Sequence, residues 1–338
     1  MVEFSRKPLT LQAVLGGAVG LALVALLVFL NGGTDIFRAL AQAGWGILAV
    51  IAIHPWQTLL AGLAWRALLP GDRRPGGLVF GLWRWIREAV NALLPVAQIG
   101  GEVVGARLMA LRGVALNAAV AATAVDLTME MLSQVAFTLC GVGLLAVGPY
   151  DPAVARWVGG ATGVALLVIM AFVVAQRNWL FRRIEQVLLG WAERPSWAAL
   201  GNVAGLHELV VGLYHRPGRL LASGGYHLVS WLMGGIEVMV ALRVVGVEVD
   251  LAQGLLIESI GQAMRTVGFA IPGSLGVQEG GYILICGLVG VEPQSAIELS
   301  LLKRVREMVL GVPGLVMWQI LEGRRLAGRS TSSAKVVP

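Results

Sequence analysis

Arg84, Arg87, Glu88, Glu102, Arg107, Asp126, Glu130, Glu237, Glu258, Arg265, Glu279, Lys303, Arg304, Arg306 and Glu307 all stand in stretches that are otherwise apolar. A charge near the centre of a lipid-embedded helix costs roughly 2.5–3.5 kcal/mol even on lenient insertion scales, so this set must pair within the protein or line a polar interior. Two chemistries fit: a salt-bridge network that only fixes helix packing, or a charged cavity that receives a lipid headgroup, a coupling proton, or both. Arg265, Lys303, Arg304 and Arg306 are the candidates for contact with an anionic headgroup, and Glu102, Glu279, Asp126 and Glu130 for gating or proton coupling. Asp126 and Glu130 lie one helical turn apart and repel each other, so Lys303, Arg304 and Arg306 are expected to compensate them. Glu102 and Glu279 each follow a Gly-containing break near the start of an apolar arm. There the unpaired N–H groups of a helix start favour an anion. Each glutamate either neutralises its own helix end or acts as a protonatable gate or cation contact, with neighbouring N–H groups left for a phosphate.

Other reactive side chains give no pattern. His54, His207, His215 and His227 lack metal-ligand spacing, and no GxxxxGK[ST] phosphate loop occurs, so no metal, cofactor or catalytic group is predicted. His54, just before Pro55, and His227 read as polar packing residues. Cys140 and Cys286, in apolar runs, read as core packing.

The elements that carry these residues are helices of a membrane protein. The chain is 57% hydrophobic and only 14% charged over 338 residues, which excludes an ordinary soluble enzyme and any disordered or fibrous class. The predicted fold is an all-α polytopic integral membrane protein. Full spans are expected at 9–30, 45–69, 115–147, 154–176, 220–245 and 295–321, the first a retained anchor. The segments 78–112 and 255–290 are each two apolar arms, short for a crossing, around a Pro/Gly break, and are expected to be re-entrant helical hairpins. The basic stretch 178–216 suits an amphipathic surface helix, and 330–338 a polar tail. The net charge of +6 is expected on cytoplasmic loops, not against nucleic acid. Arg6, Lys7, Arg73, Arg74, Arg177, Arg182, Arg183, Arg194, Arg216, Arg219, Arg324, Arg325, Arg329 and Lys335 fall inside if both termini are cytoplasmic, leaving Arg38 outside.

An offset of 177 positions, the separation of Pro95 and Pro272, also superposes Arg66 on Arg243, Glu102 on Glu279, Gly113 on Gly290, Glu130 on Glu307 and Met131 on Met308. Glu88 then falls on Arg265 and Asp126 on Lys303, placing opposite charges at related positions. The expected organisation is an anchor and outer loop (1–44), repeat one (45–147), a connecting span and cytoplasmic segment (148–219), repeat two (220–321) and a tail (322–338). An odd number of crossings between the hairpins inverts the second repeat. Inverted repeats with broken helices are an architecture of secondary transporters.

The segment Arg87-Glu88-Ala89-Val90-Asn91-Ala92-Leu93-Leu94-Pro95 with Gly100-Gly101-Glu102 resembles the flippase-like membrane domain of the lysylphosphatidylglycerol synthase family. The segment Ile271-Pro272-Gly273-Ser274-Leu275-Gly276-Val277-Gln278-Glu279-Gly280 resembles it too, and the likeness covers roughly 9–321. Arg84-Trp85-Ile86-Arg87-Glu88 and Lys303-Arg304-Val305-Arg306-Glu307 look like the subgroup associated with hopanoid biosynthesis. The resemblance implies a protein of the bacterial cytoplasmic membrane that moves a polar or anionic lipid between leaflets. The motif positions carried over are Asn91, Pro95, Gly100, Gly101, Glu102, Pro272, Gly273, Gly276 and Glu279. After Leu321 too few residues remain for the soluble aminoacyl-transferase domain, so lysyl transfer is not predicted. The alternatives are an enzyme or accessory subunit of hopanoid or polyprenyl-linked lipid biosynthesis, and a scaffold for such enzymes.

Overall fold

The computed structural model describes residues 43–71, 74–94, 100–192, 204–267 and 277–333. The anticipated first span, 9–30, and Pro95, Pro272, Gly273 and Gly276 lie outside them. Among the described residues the secondary structure is helical: α1 (Ile47–Leu68), α2 (Gly77–Leu93), α3 (Gly100–Leu111), α4 (Leu116–Val147), α5 (Pro152–Ala175), α6 (Phe181–Ala192), α7 (Leu206–Tyr214), α8 (Pro217–Val244), α9 (Leu251–Val267), α10 (Val277–Leu288) and α11 (Pro293–Ser333). The chain is an all-α polytopic membrane protein. Four helical stretches, Gly44–Leu68, Leu116–Val147, Pro152–Val187 and Pro217–Val244, are long and apolar enough to cross a bilayer. α5 leaves Val164, Leu167, Val168 and Met170 exposed, a face that water would not tolerate and lipid does. The anticipated last span lies in α11, a 41-residue helix that carries charges and continues past 321 into the expected tail.

Local sequence sets the boundaries. Asp151 caps α5, its Oδ1 accepting from the Ala153 N–H at 2.8 Å, with Pro152 at the first helical position. At the end of α3, Gly113 adopts φ 86° while its N–H reaches the Ala110 carbonyl and that of Val114 the Met109 carbonyl. Gly290 repeats this after α10 at φ 80°, bonding Gly287 O, with Val291 bonding Cys286 O. A left-handed residue is what such a helix end requires, and glycine supplies it without a Cβ clash. The offset of these two caps is the sequence offset, and it carries α3 onto α10 residue for residue. The region expected to be one amphipathic helix is divided. A π turn at Gln176–Leu180 leads into α6, while α7 buries Leu206, Val210 and Leu213 in the core.

Two ends of the bundle are distinguishable. Arg74 and Arg112 line one pocket together with Leu69, Pro75 and Ala115, so both outer ends of the α2–α3 pair meet the end of α1. Arg219, in the first turn of α8, donates to the Leu69 carbonyl at 3.0 Å and joins that basic end. At the other end Gly46 packs on Val244, so α1 and α8 run antiparallel, and Asp151, Glu248 and Asp250 are exposed.

The apolar interior falls into two clusters. One holds Ile47, Val50, Leu145, Val238, Leu242, Ile257 and Leu302; the other holds Trp65, Leu68, Phe80, Trp83, Met109, Ala122 and Val210. Along α1 the two are separated by His54, Gln57 and Thr58, and along α4 by Asp126 to Ser133. Polar residues thus form a belt between two dry cores. Cys286 is buried in the first of these, whereas Cys140, expected in the core, is exposed on α4, since an apolar run on a membrane helix has a lipid face as well as a packed one.

Candidate functional site

Helical spacing builds the belt. Arg84, Arg87 and Glu88 fall at i, i+3 and i+4 on α2 and share a face; Asp126 and Glu130 share one on α4, and Lys303, Arg306 and Glu307 one on α11. The α2 face meets α4. Arg84 reaches Glu88 at 2.7 Å and grips Glu130 with both terminal nitrogens. Arg87 spans Asp126 at 2.6 Å, Glu102 at 2.7 Å and Glu130 at 3.3 Å. The Asn91 amide nitrogen donates to Glu102, and its oxygen accepts from the Gly101 N–H at 2.8 Å, tying the start of α3 to α2. A Cβ at Gly101 would lie 2.4 Å from the Arg87 carbonyl oxygen, so the second glycine of the pair is required for this approach.

On the other half, Arg306 pairs with Glu237 of α8 and lies 3.4 Å from Glu307, which Arg265 holds at 2.6 Å. Lys303 pairs with Glu258, which also accepts from Gln262 at 2.8 Å. Arg304 pairs with Glu279 in the first turn of α10.

These partners correct one expectation. Asp126 and Glu130 are compensated by Arg84 and Arg87 of the same repeat, not by Lys303, Arg304 and Arg306, which take up Glu258, Glu279 and Glu237. Matching under the 177-residue offset does not place residues face to face; here the i, i+3 arginines of α2 meet the carboxylates of α4. Glu102 and Glu279 each stand in the first turn of a helix, as expected, and each is also met by an arginine from another helix. Arg265, Lys303, Arg304 and Arg306, expected to await an anionic headgroup, all have carboxylate partners. Arg107 lies apart, half exposed and paired with Glu322.

Sequence reading counted Glu237 among the intramembrane charges without assigning it a role, read His54 and His227 as packing residues, and did not single out Gln57 or Thr58. Glu237 is 0% exposed and accepts from Gln57 at 2.7 Å, and Thr58 donates to Glu88 at 2.7 Å. His227 lies 3.0 Å from Asp126, and His54 stands 3.7 Å from Glu88 and 3.6 Å from Glu237. The internal repeat could not reveal these, because it maps His54 onto Trp231 and Glu237 onto Leu60. The usable signal was the cost of a lone glutamate within an apolar span. Asp126, Glu130 and His227 are close enough to share a metal ion, yet both carboxylates are held by guanidinium groups. The belt is therefore an ion-pair network. Beside it Pro55, Trp56, Leu59, Leu78, Leu82, Trp85 and Leu310 line an apolar groove of about 440 Å³, with Thr58, the donor to Glu88, on its wall.

Fold and site together define a multi-pass membrane protein with a charged interior flanked by an apolar lateral groove. A family model described as lysylphosphatidylglycerol synthase TM region matches residues 14–314, and the chain belongs to that family. Comparison with curated proteins and with solved structures returned no match.

Proposed function

We propose that this protein moves a polar or anionic lipid between the leaflets of the bacterial cytoplasmic membrane by alternating access. The observation that carries this reading is the belt of ion pairs between two apolar cores, beside an apolar groove that Thr58 joins to it. A headgroup would trade places with partners in the belt while its apolar chain stays in the groove against Trp56, Leu82 and Trp85. Because every basic side chain of the belt already has a carboxylate neighbour, an anionic headgroup must displace one, which couples loading to rearrangement. The wording of 84–88 and 303–307 favours a hopanoid-related cargo, and lipid-biosynthetic enzymes as partners.

Alternating access calls for α2–α3 and α9–α10 to enter as hairpins from opposite faces. Their lengths support this: 17 and 12 residues in each pair give about 25 Å and about 18 Å of helix, short of the roughly 30 Å of a hydrocarbon core. The shared pocket at the outer ends of α2 and α3 supports it as well. The surplus of arginine at that end favours a cytoplasmic assignment, with both termini on the same side. The activity is transport and not bond-making.

Vesicles containing the purified protein and a fluorescent lipid test the proposal. Leaflet exchange should exceed that of protein-free vesicles and fall to their level in Glu279→Gln. No exchange under any gradient, with product formed from a candidate lipid, would favour the enzymatic alternative.

A further inference from the structure

The two halves of the belt are joined at a point that neither repeat supplies twice. Arg84, with Thr58, holds Glu88 on one side, and Arg306 with Gln57 holds Glu237 on the other. Between these carboxylates stands the His54 ring of α1, with Nε2 3.7 Å from Glu88 and Nδ1 3.6 Å from Glu237. Nδ1 is buried and makes no hydrogen bond.

A neutral imidazole carries one N–H and one lone pair. Placed between two carboxylates it can donate to one and must turn its lone pair on the other, an unfavourable contact where water is largely excluded, as at Glu237. An imidazolium presents an N–H to each carboxylate and is attracted to both at ion-pair distance. The charge balance points the same way. Among the described residues the belt sets Glu88, Glu102, Asp126, Glu130, Glu237, Glu258, Glu279 and Glu307 against Arg84, Arg87, Arg265, Lys303, Arg304 and Arg306. That leaves a surplus of two carboxylates, and two histidines, His54 and His227, touch them.

We propose that His54 is a proton-binding site between the two halves, and that the proton it holds ties Glu88 of the first repeat to Glu237 of the second. Resting on the transport reading, this names the coupling ion as the proton. Binding a proton closes the contact between the halves; losing it leaves two carboxylates with a lone pair between them and lets the halves part. The groups that face the ring are Glu88 and Arg84 from α2, Glu237 from α8 and Arg306 from α11, while Asp126 and Glu130 of α4 are occupied by Arg87 and Arg84. Arg306 opposes the imidazolium but is itself neutralised by Glu237.

Nitrogen NMR of histidine-labelled full-length protein in nanodiscs tests this without any lipid movement. His54, assigned by its loss in His54→Asn, should keep both nitrogens protonated at pH 7.5, where an ordinary imidazole is about 90% neutral. Should that variant fail to fold, His54→Lys, which keeps a cation between the carboxylates, gives the same assignment. Glu237→Gln should weaken proton binding at His54 by at least about tenfold. A single neutral tautomer at pH 7.5, or an unchanged titration in Glu237→Gln, overturns the proposal. In vesicles the exchange rate of the wild type should change between pH 7.5 and pH 9.5, where His54 gives up its proton, and that of His54→Lys should not; an equal change in both also overturns it. If no variant exchanges lipid, the transport reading fails while the NMR result still decides the proton site.

Discussion

Arg87 is 1% exposed and contacts Asp126, Glu102 and Glu130. Removing it takes from the buried Asp126 its 2.6 Å partner, leaving His227 and the more distant Arg84, and takes the arginine from Glu102, so Arg87→Gln should destabilise the protein by about 3–5 kcal/mol, read from thermal unfolding in detergent. Arg107→Ala removes an equally visible ion pair, to Glu322, but at a half-exposed position, and should cost about 0–1 kcal/mol. Gly101→Ala forces a Cβ against the Arg87 carbonyl and the Asn91 side chain and should cost about 1–3 kcal/mol by the same assay. At this scale the sequence disclosed which side chains form the belt, because charge in an apolar run is conspicuous, but not who pairs with whom. Pairing depends on which helix faces meet, and Arg87 could as well have faced α11 as α4. The pairing of His54 with Glu237 was hidden for a related reason: each has meaning only through the other's helix.

Helices reproduce the repeat more faithfully than side chains do. The caps at Gly113 and Gly290, the starts of α3 and α10 and those of α4 and α11 all keep the 177-residue offset. Gly113→Ala and Gly290→Ala, each with open space around the new Cβ, should therefore carry similar penalties of about 1–2 kcal/mol, set by the left-handed backbone alone. A tenfold disparity in unfolding equilibrium between them would argue that the two turns are not equivalent. Spans 45–69, 115–147, 154–176 and 220–245 were readable because long, apolar, sparsely charged runs have few other uses. The division of 178–216 was not, since the π turn at Gln176–Leu180 depends on the buried Gln176 side chain bonding Thr128 at 2.8 Å and Tyr214 at 3.2 Å.

The whole molecule is two dry cores with a charged layer between them, and an inverted arrangement of its halves is what would let either core part in turn. Single cysteines placed at Arg112, Arg216, Asp250 and Glu292, in a background without Cys140 and Cys286, test the inversion. A membrane-impermeant thiol reagent should reach the first two from one side and the last two from the other; labelling of all four from one side would contradict it.

A photoreactive lipid with its diazirine on the headgroup interrogates the central claim most directly. After irradiation of the protein in nanodiscs, peptide mapping should place headgroup adducts on the belt, at His54, Thr58 and Glu88, and adducts of a chain-labelled analogue at Trp56, Leu82 and Trp85. Headgroup adducts confined to the two ends of the bundle, near Trp45 and Arg219, would contradict a path through the charged interior.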